Sequence, residues 1–535
     1  MKKILITGAL HQRAFDIFQT DPDIQIEYRP DIPRDEVLRI IGDFDCHISR
    51  SETDVDKELL SKANRLSVVA RAAVGIGNID VEEATRKGIL VFNTPAKNTN
   101  SAAELSVMLM LAVIRNLIKA HNSMAQHKWN RHSFTGTELW GKTIGIIGLG
   151  NVGHRVARFC NAFDCKVIAY DPYVTEEYCS GHNAEKVNLA TLIQTSDIIT
   201  IHTPKNKETT NMIGDAEIAQ MKEGVILINA ARGGLYNEAA LERGMKSGKI
   251  RGLGIDTWEV EPVKEHPLKD YENVVMTPHI GASTIEAQYR IADTVASETL
   301  KALRGDMVAT PVNLPDIGKL SSDLASHYAY LAGKLGSFSR QYIHRGFTPK
   351  QIEFQFRGNL LTDDHALIKL SYLKAFLQGT QDETVSFVNA LHIAESKGIL
   401  MKDSEDHAFS DYESAIRIKV KGQAAGGDQE IAVGGTVMGT KKVRLSYLNG
   451  YAFEIEPKGN ILSIENNDKP GVIGAVGTLL GRHGVNINRF ELCRTGKGER
   501  AMALVMVDEE VSTEVLTELR QTSNILRVES ISLGG

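Results

Sequence analysis

The glycine-rich segment 148–153, which reads Gly-Leu-Gly-Asn-Val-Gly, constrains the fold more than any other part of this 535-residue chain. The apolar run 142–147 before it predicts a buried strand, and residues 155–159 after it predict a helix. A second apolar run, 165–170, ends at the carboxylate of Asp171. Strand, glycine turn, helix and strand in this order predict a βαβ unit of a parallel, doubly wound sheet.

The glycines of this segment suit the binding of a dinucleotide. The first permits a tight turn, the second lets the backbone approach a pyrophosphate, and the third lets the helix pack on the strand. The phosphates would meet free N–H groups at the positive end of the helix. Asp171 can accept hydrogen bonds from a ribose and would repel a 2′-phosphate, so NAD is expected rather than NADP. The alternative is a βαβ turn that binds nothing. The residues predicted here are Gly148, Gly150, Asn151, Val152, Gly153 and Asp171.

Composition and length exclude several classes of protein. The chain is too long for one hydrophobic core, so several domains are expected. A net charge of −6 gives no reason to expect a nucleic acid or a membrane as partner. The sequence contains neither an apolar run as long as a membrane span nor a signal segment, so a cytoplasmic protein is predicted. The five cysteines are scattered without CxxC spacing, so neither a disulfide framework nor a metal site is expected.

Alternating strand and helix patterns predict an α/β fold with two doubly wound parallel-sheet domains and a cleft between them. Between the two, residues 101–124 predict one long helix that begins at Ser101. Its apolar residues lie on several faces, which is typical of a dimer interface or of a core helix. The expected boundaries are 1–98 with 291–317 for a discontinuous substrate-binding domain, and 99–290 for the Rossmann domain that binds NAD.

The second half of the chain has a different pattern. Residues 318–457 predict an α+β intervening domain, in which the glycine pairs 426–427 and 434–435 and Gly439 are expected to form hairpin turns. Residues 458–535 predict the order βαββαβ, which is a ferredoxin-like sandwich.

Three loops that follow predicted strands of the second sheet carry side chains suited to hydride transfer from a hydroxy acid. Arg232, Glu261 and His279 come in this order, at the carboxyl edge where open α/β sheets bind ligands. A histidine can accept a hydroxyl proton near neutral pH, a carboxylate can orient it, and an arginine can bind a substrate carboxylate. Each residue taken alone could instead be an ordinary loop or surface group.

With these loops in place, the chain resembles the D-2-hydroxyacid dehydrogenase family. The segments 231–234, 261–262 and 278–284 carry that resemblance. Segments 93–95 and 101–105 make the chain similar to the long members that act on D-3-phosphoglycerate, which carry an intervening domain of the allosteric-substrate-binding type and a regulatory ACT domain. The resemblance implies NAD-dependent oxidation of 3-phosphoglycerate to 3-phosphohydroxypyruvate, the first step of L-serine biosynthesis.

The resemblance also implies roles for individual residues. His279 would be the acid/base group, Glu261 its partner and Arg232 the anchor of the substrate carboxylate. Besides the glycine segment and Asp171, cofactor contacts are implied at Thr203, Pro204, Ala230, Arg232, Asp256, His279, Gly281 and Ala282, with Asp256 meeting the nicotinamide carboxamide. Substrate contacts are implied at Arg50, Ser51, Arg71, Ala73, Val74, Gly75, Asn98 and Arg131, the last in a neighbouring subunit's site.

One loop departs from the family pattern and leaves the substrate open. Ala73 and Val74 stand where the family has glycine and threonine, and Gly77 replaces an acid. One alternative is therefore reduction of another 2-oxo acid (2-oxoglutarate, glyoxylate or hydroxypyruvate). An alternative in a different class is a NAD-sensing corepressor, since the same fold serves transcription control in some animal proteins.

The resemblance extends to regulation and assembly. In the ACT domain it implies that L-serine would be held by Asn466, Asp468 and Asn486. A domain that only dimerises is the alternative. Together with the apolar helix that follows Ser101, the ACT domain predicts a homodimer or a homotetramer.

Overall fold

The computed structural model describes most of the chain, with gaps mainly in the second half: 1–50, 52–314, 323–343, 346–362, 365–379, 385–405, 412–424, 427–439, 441–494 and 500–534. Ser51 and Gly426 lie outside the described residues, as does the predicted boundary at 317/318.

The first sheet contains five parallel strands in the order β2-β1-β3-β4-β5. Its elements are β1 (Lys2–Ile6), α1 (Gln12–Phe18), β2 (Ile24–Tyr28), α2 (Arg34–Ile40), β3 (Cys46–Ser49), α3 (Lys57–Lys62), β4 (Val68–Arg71), α4 (Val81–Arg86) and β5 (Leu90–Phe92). The sequence did not predict β2, a half-buried edge strand whose apolar residues alternate with polar ones.

The second sheet contains seven parallel strands in the order β12-β11-β10-β9-β6-β7-β8. Its elements are β6 (Thr143–Ile147), α7 (Gly153–Ala162), β7 (Lys166–Tyr170), α8 (Glu176–Gly181), β8 (Glu185–Lys186), α9 (Leu189–Thr195), β9 (Ile198–Ile201), α10 (Asp215–Gln220), β10 (Val225–Asn229), α11 (Glu238–Ser247), β11 (Ile250–Ile255) and β12 (Val274–Met276). Strand order reverses between β6 and β9, and the glycine segment leaves β6 at that switch point, where such sheets bind ligands.

The chain returns to the first sheet after β12. Helix α12 (Ile285–Arg304) buries Ile291 and Val295 against the apolar residues of β1 and β4. Further on, Pro311 forms a bridge with Phe92 at the end of β5. The first sheet is thus completed by residues that follow the second, although the domain boundaries themselves stay a prediction.

The long helix predicted for 101–124 is wrong in one respect. It consists of α5 (Thr99–Ile114) and α6 (Leu117–Ala125), because Asn116 adopts a left-handed conformation between them, with φ at 52°. Asparagine tolerates this conformation and ends a helix at little cost. Asn98, rather than Ser101, precedes the first turn. Among the described residues, no single helix is long and apolar enough to cross a membrane; α5 and α6 pass that test only together, and they are bent by 66°.

The intervening region is built on a six-stranded mixed sheet, in the order β14-β13-β15-β16-β17-β18, with α13 and α14 packed on it. Its elements are α13 (Asp323–Tyr342), β13 (Thr348–Arg357), α14 (Ala366–Leu377), α15 (Ala390–Ser396), β14 (Leu400–Glu405), β15 (Ala415–Ala424), β16 (Gly427–Met438), β17 (Lys442–Leu448) and β18 (Tyr451–Ile455). The hairpin turn predicted at 434–435 is wrong. Both glycines lie inside β16 at a register shift, where a Cβ on Gly435 would come within 2.6 Å of the Arg444 carbonyl oxygen.

The last domain has the predicted order βαββαβ. Its elements are β19 (Asn460–Asn467), α16 (Val472–Arg482), β20 (Ile487–Arg494), β21 (Arg500–Val507), α17 (Thr513–Gln521) and β22 (Ile525–Ser532). The strands lie in the order β20-β21-β19-β22, and α16 and α17 bury one face of the sheet. Residues of the opposite face, such as Ile461 and Leu504, share a core with α13. The predicted fold class is confirmed for all four parts.

Candidate active site

The glycine segment forms the turn between β6 and α7, and its three glycines differ in their surroundings. Gly148 has a positive φ of 89°, and a Cβ there would lie 2.9 Å from the His202 carbonyl oxygen. A Cβ on Gly153 would lie 2.0 Å from the Gly148 carbonyl oxygen, so the helix packs directly on the turn. A Cβ on Gly150 would meet no atom of the described chain within 4 Å. The backbone at Gly150 is therefore open on the side from which a phosphate would approach.

The groups around this turn fit a dinucleotide. Val152 precedes α7, and no side chain of the described residues caps the helix, so the positive end of α7 faces the turn. The amides of His154 and Arg155 donate to the carbonyl oxygens of Gly150 and Val152, at 3.1 and 3.0 Å. Asp171 at the end of β7 accepts hydrogen bonds from the Leu149 and Tyr173 amides, each at 2.9 Å, which fixes its carboxylate beside the turn. Across the turn, the hydroxyl of Thr203 is buried without a partner among the described residues. A buried hydroxyl of this kind is uncommon and suggests a polar ligand.

The other residues predicted to meet the cofactor lie at the same edge of the sheet. Asn151 belongs to the turn, Pro204 follows β9, Ala230 follows β10, and Gly281 and Ala282 lie in the loop after β12. Their contacts with NAD stay a prediction.

A cleft of about 970 Å³ is lined by residues from both parallel sheets. Loops after β3 and β4 supply one wall, and loops after β10, β11 and β12 supply the other. Nine residues predicted from the sequence to bind substrate or take part in catalysis line it together: Arg50, Arg71, Ala73, Val74, Gly75, Asn98, Arg232, Glu261 and His279. Residues far apart in the sequence are thus brought into one cavity.

His279 and Glu261 form a hydrogen-bonded pair in this cleft. The Nδ1 atom of His279 lies 2.8 Å from Oε2 of Glu261, and both side chains are partly exposed. The other oxygen of Glu261 accepts a hydrogen bond from the Trp258 amide at 2.9 Å. His279 has a positive φ of 53°, a strained conformation for a residue with a side chain, which directs the ring into the cleft from the loop after β12. If His279 is the acid/base group, the remaining ring nitrogen, Nε2, would exchange the proton with a substrate.

Asp256 holds the loop that carries His279. It is fully buried, and its carboxylate accepts hydrogen bonds from the Thr277 hydroxyl at 2.6 Å and from the Ile280 and Gly281 amides at 2.7 and 2.9 Å. The predicted contact of Asp256 with a nicotinamide carboxamide stays a prediction. The role that the geometry gives it is to fix the position of His279.

Arg232 lines the same cleft as His279 and lies in the loop after β10. The Asn229 side chain donates to the Arg232 carbonyl at 2.8 Å and so holds the loop. Gly233 presses against the Trp258 carbonyl, where a Cβ would come within 1.7 Å, so only glycine fits there. Burial lowers the pKa of the Arg232 guanidinium, while the Glu261 carboxylate acts in the opposite direction. A cation that is partly removed from water in this way favours an anionic ligand.

Arg71 is the most deeply buried cation of the cleft. Only 6% of its surface is exposed, and this burial lowers its pKa to about 10. Its Nε donates to the Gly75 carbonyl at 2.9 Å, whereas Nη1 is buried without a hydrogen-bond partner among the described residues. Leaving a buried guanidinium N–H unpaired is costly, so the site is incomplete without an acceptor such as a phosphate or carboxylate oxygen.

Arg50 lies beside Arg71 at the edge of the cleft. Its Nη1 donates to the Ala9 carbonyl at 2.9 Å and to the Gln288 side chain at 3.1 Å, which ties the first sheet to α12. The loop that departs from the family pattern is well held, since Asn93 donates to the Val74 carbonyl at 2.7 Å. Gly77 faces open space, so the side chain missing there leaves that side of the loop unfilled.

The structure does not bring every predicted residue to the cleft. Arg131, which is predicted to reach a neighbouring subunit's site, is exposed on the surface, where its Nε lies 3.3 Å from Nε2 of His132; that role stays a prediction. In the last domain, Asp468 pairs with Arg494 at 3.2 Å, and Asn486 donates to Asp508 at 2.6 Å. Asn466, the third residue predicted there, is buried in β19.

Several residues that line the cleft were not predicted from the sequence. Lys264, His266 and Lys269 belong to the loop between β11 and β12, and Glu52 lies between the two first-sheet arginines in the chain. A signal for the loop was available, because the strands predicted at 252–256 and 274–277 bracket it and so place it at the ligand-binding edge.

Comparison with known proteins agrees with this geometry. Family models match residues 107–281 (D-isomer specific 2-hydroxyacid dehydrogenase, NAD binding domain), 325–449 (D-3-phosphoglycerate dehydrogenase intervening domain) and 460–524 (ACT domain). The chain is 35% identical to the D-3-phosphoglycerate dehydrogenase of Archaeoglobus fulgidus over 99% of its own length and all of that relative, and 36% identical to that of Methanocaldococcus jannaschii over the full length of both. The chain belongs to the D-3-phosphoglycerate dehydrogenase family.

Solved structures cover the catalytic part of this family member. A D-lactate dehydrogenase from Aquifex aeolicus, in complex with NAD and lactic acid, matches 59% of this chain and all of its own, with a TM-score of 0.52 and 29% identity. A glyoxylate reductase from Paecilomyes thermophila matches 58% of this chain and 98% of its own, with a TM-score of 0.54 and 27% identity. The chain is an oxidoreductase that uses NAD, and the open backbone at Gly150 and the fixed carboxylate of Asp171 fit that cofactor.

Proposed function

We propose that this enzyme oxidises D-3-phosphoglycerate to 3-phosphohydroxypyruvate and so supplies the first step of L-serine biosynthesis. One observation carries the assignment of a phosphorylated substrate. The buried guanidinium of Arg71, with Nη1 unpartnered among the described residues, lies in the same cleft as Arg232 and the His279–Glu261 pair. A hydroxy acid with anionic groups at both ends satisfies both arginines at once.

Each of these residues has a separate role in the proposed reaction. Nε2 of His279 accepts the proton of the 2-hydroxyl, and the Glu261 carboxylate stabilises the imidazolium that results. Arg232 binds the substrate carboxylate, and Arg50 and Arg71 bind the phosphate. NAD, held at the glycine turn and Asp171, would supply the acceptor for the hydride of the substrate carbon. In the reverse direction, protonated His279 returns the proton to the carbonyl oxygen.

The direct test is the rate of NADH formation with D-3-phosphoglycerate, with 3-phosphohydroxypyruvate identified as the product. A second candidate is reduction of an unphosphorylated 2-oxo acid, which is favoured by Ala73 and Val74 in the cleft wall and by the resemblance to the glyoxylate reductase. Rates with NADH and glyoxylate, hydroxypyruvate or 2-oxoglutarate would then exceed those with 3-phosphohydroxypyruvate, and the proposal would be wrong.

Regulation and assembly form a second part of the proposal. The ACT domain suggests feedback inhibition by L-serine, held by Asp468 and Asn486 between two copies of the domain. On the catalytic part, Met108 and Leu117 are about half exposed beside an apolar groove of about 760 Å³ along α5, α6 and α7. An exposed apolar groove of this kind supports a second interface. Two interfaces would give a homotetramer in the cytoplasm, and light scattering of the purified chain measures its mass.

A further inference from the structure

A second pair of a histidine and a glutamate lies behind the loop that carries Glu261. Glu238 is the first residue of α11, and its Oε2 lies 2.9 Å from Nε2 of His266. Both side chains are largely buried, with exposed fractions of 18% for Glu238 and 12% for His266. His266 belongs to the wall of the substrate cleft, but both of its ring nitrogens are engaged within the chain.

The Glu238 carboxylate holds this loop at two points, one on each side of Glu261. Its Oε1 accepts a hydrogen bond from the Glu259 amide at 2.6 Å, and its Oε2 faces the ring of His266. Because Glu259 precedes Glu261 and His266 follows it, one carboxylate closes the base of the loop. A segment closed in this way has far fewer conformations than one held only by the strands at its ends.

His266 also contacts Leu268 and Trp258. Its Nδ1 accepts a hydrogen bond from the Leu268 amide at 3.2 Å, so Nε2 carries the ring proton and donates to Glu238. Leu268 is fully buried and anchors the turn in the core. The ring of His266 also packs edge-on against Trp258, with centroids 4.8 Å apart, and the Trp258 amide is the donor that fixes Glu261.

The same indole reaches the strand end before the catalytic histidine. Its Nε1 donates to the Thr277 carbonyl at 3.2 Å, two residues before His279. Through Trp258, His266 is therefore connected to both segments that carry the His279–Glu261 pair.

We propose that Glu238 and His266 are positioning residues, which hold Glu261 within hydrogen-bonding distance of His279. The inference rests on the proposed function only in taking His279 as the acid/base group. Neither residue exchanges a proton with the substrate; their contribution is the geometry of the loop between β11 and β12.

The first test removes both restraints with Glu238→Ala. Without these restraints Glu261 should move by about 1 Å relative to His279, and kcat should fall by about 10²-fold. The Kd of NAD, measured by fluorescence, should change by less than about twofold, because the glycine turn is untouched. Glu238 acts through Glu261, so Glu238→Ala should lower kcat no further in the Glu261→Ala background. If instead the fold-losses in kcat of the two single variants multiply in the double variant, Glu238 does not act through Glu261, and the proposal is overturned.

The second test separates the two hydrogen bonds of His266 and avoids a large cavity. In His266→Gln the amide nitrogen replaces Nε2 and can still donate to Glu238. In His266→Asn the amide oxygen replaces Nδ1 and can accept from Leu268, but the side chain is too short to reach Glu238. The glutamine variant should retain most of kcat, and the asparagine variant should fall with Glu238→Ala. The opposite order would overturn the proposal.

A matched control lies far from the cleft. His483 and Glu518 form a similar pair in the last domain, with Nε2 and Oε2 2.7 Å apart. His483→Asn removes that pair and should leave kcat unchanged. If the wild type does not oxidise D-3-phosphoglycerate, the proposed function fails by itself. The same variants are then compared on the 2-oxo acid that the enzyme does reduce, so the positioning role is decided independently.

Discussion

The catalytic cleft and the predicted serine site of the last domain differ in how far a single chain prepares them. In the cleft, Nη1 of Arg71 is buried and has no acceptor among the described residues. In the last domain, Asp468 is paired with Arg494, and Asn486 with Asp508. The cleft thus presents a buried donor to a ligand, whereas an effector in the last domain must displace existing contacts or bind between two copies of the domain. We therefore expect tight, phosphate-dependent substrate binding and weaker effector binding that depends on assembly.

The largest effect should come from the cleft itself. His279→Ala removes the proton acceptor and should lower kcat by about 10³-fold, within the range typical of general base catalysis. The affinity for NAD, measured by fluorescence titration, should change little, because the glycine turn and Asp171 are untouched. Turnover close to that of the wild type would contradict the assignment of His279.

Arg71→Ala tests whether the buried cation binds a phosphate. Hydrogen bonds to charged groups contribute about 1.5–3 kcal/mol, so kcat/KM for D-3-phosphoglycerate should fall about 10- to 100-fold. Arg65→Ala is a matched control, because Arg65 pairs with Asp45 at the opposite edge of the same sheet, 3.1 Å away. Equal losses in the two variants would show that Arg71 is only structural.

The last domain should respond only to the effector. Asn486→Ala should raise the L-serine concentration for half-inhibition about tenfold, in the usual range of allosteric coupling, and leave kcat without serine unchanged. If the wild type is not inhibited at all, the feedback proposal is wrong, and the domain serves assembly alone.

The part of the chain that forms the two parallel sheets should lose stability in acid. Burial lowers the pKa of His47 and of His202 from 6.5 to about 4, with the Arg71 charge acting in the same direction on His47. Both histidines are neutral in the folded state, so their contribution to stability is complete above pH 6.5 and is lost as the pH falls toward 4.

Tryptophan fluorescence can follow this loss in the catalytic half alone, because all three tryptophans precede the intervening region: Trp129, Trp140 and Trp258. The urea midpoint followed in this way should fall between pH 6.5 and pH 4, and His202→Gln should reduce the fall. A midpoint independent of pH over this range would contradict the burial of these groups.

Local sequence patterns predicted most of the fold. Strand runs such as 46–49, 225–229 and 487–494 coincide with the observed strands, because buried parallel strands and alternating strands have distinct apolar periods. Besides the missed edge strand β2, two errors each concern a single residue. Asn116 breaks a helix that its apolar neighbours favour, and Gly435 occupies a strand position where a Cβ would come too close to the Arg444 carbonyl oxygen and to Leu331 of α13.

The site was predictable in part. Arg232, Glu261 and His279 each follow a strand of one parallel sheet, so their meeting at one edge follows from topology. Three features could not be predicted: the Arg71 nitrogen that has no partner among the described residues, the hydrogen bonds of Asp256 to its own loop, and the hydrogen bonds of Glu238 and His266. These depend on contacts between loops, which neither composition nor periodicity encodes.

We infer that the cleft binds a phosphorylated hydroxy acid through Arg71 and Arg232. The most direct test of this inference is the ratio of kcat/KM for D-3-phosphoglycerate to that for D-glycerate, which lacks only the phosphate, measured in the wild type and in Arg71→Ala. We expect a ratio well above one in the wild type that collapses in the variant through loss of the phosphorylated substrate alone. A wild-type ratio near one, or equal losses for both substrates in Arg71→Ala, would show that Arg71 does not bind the phosphate.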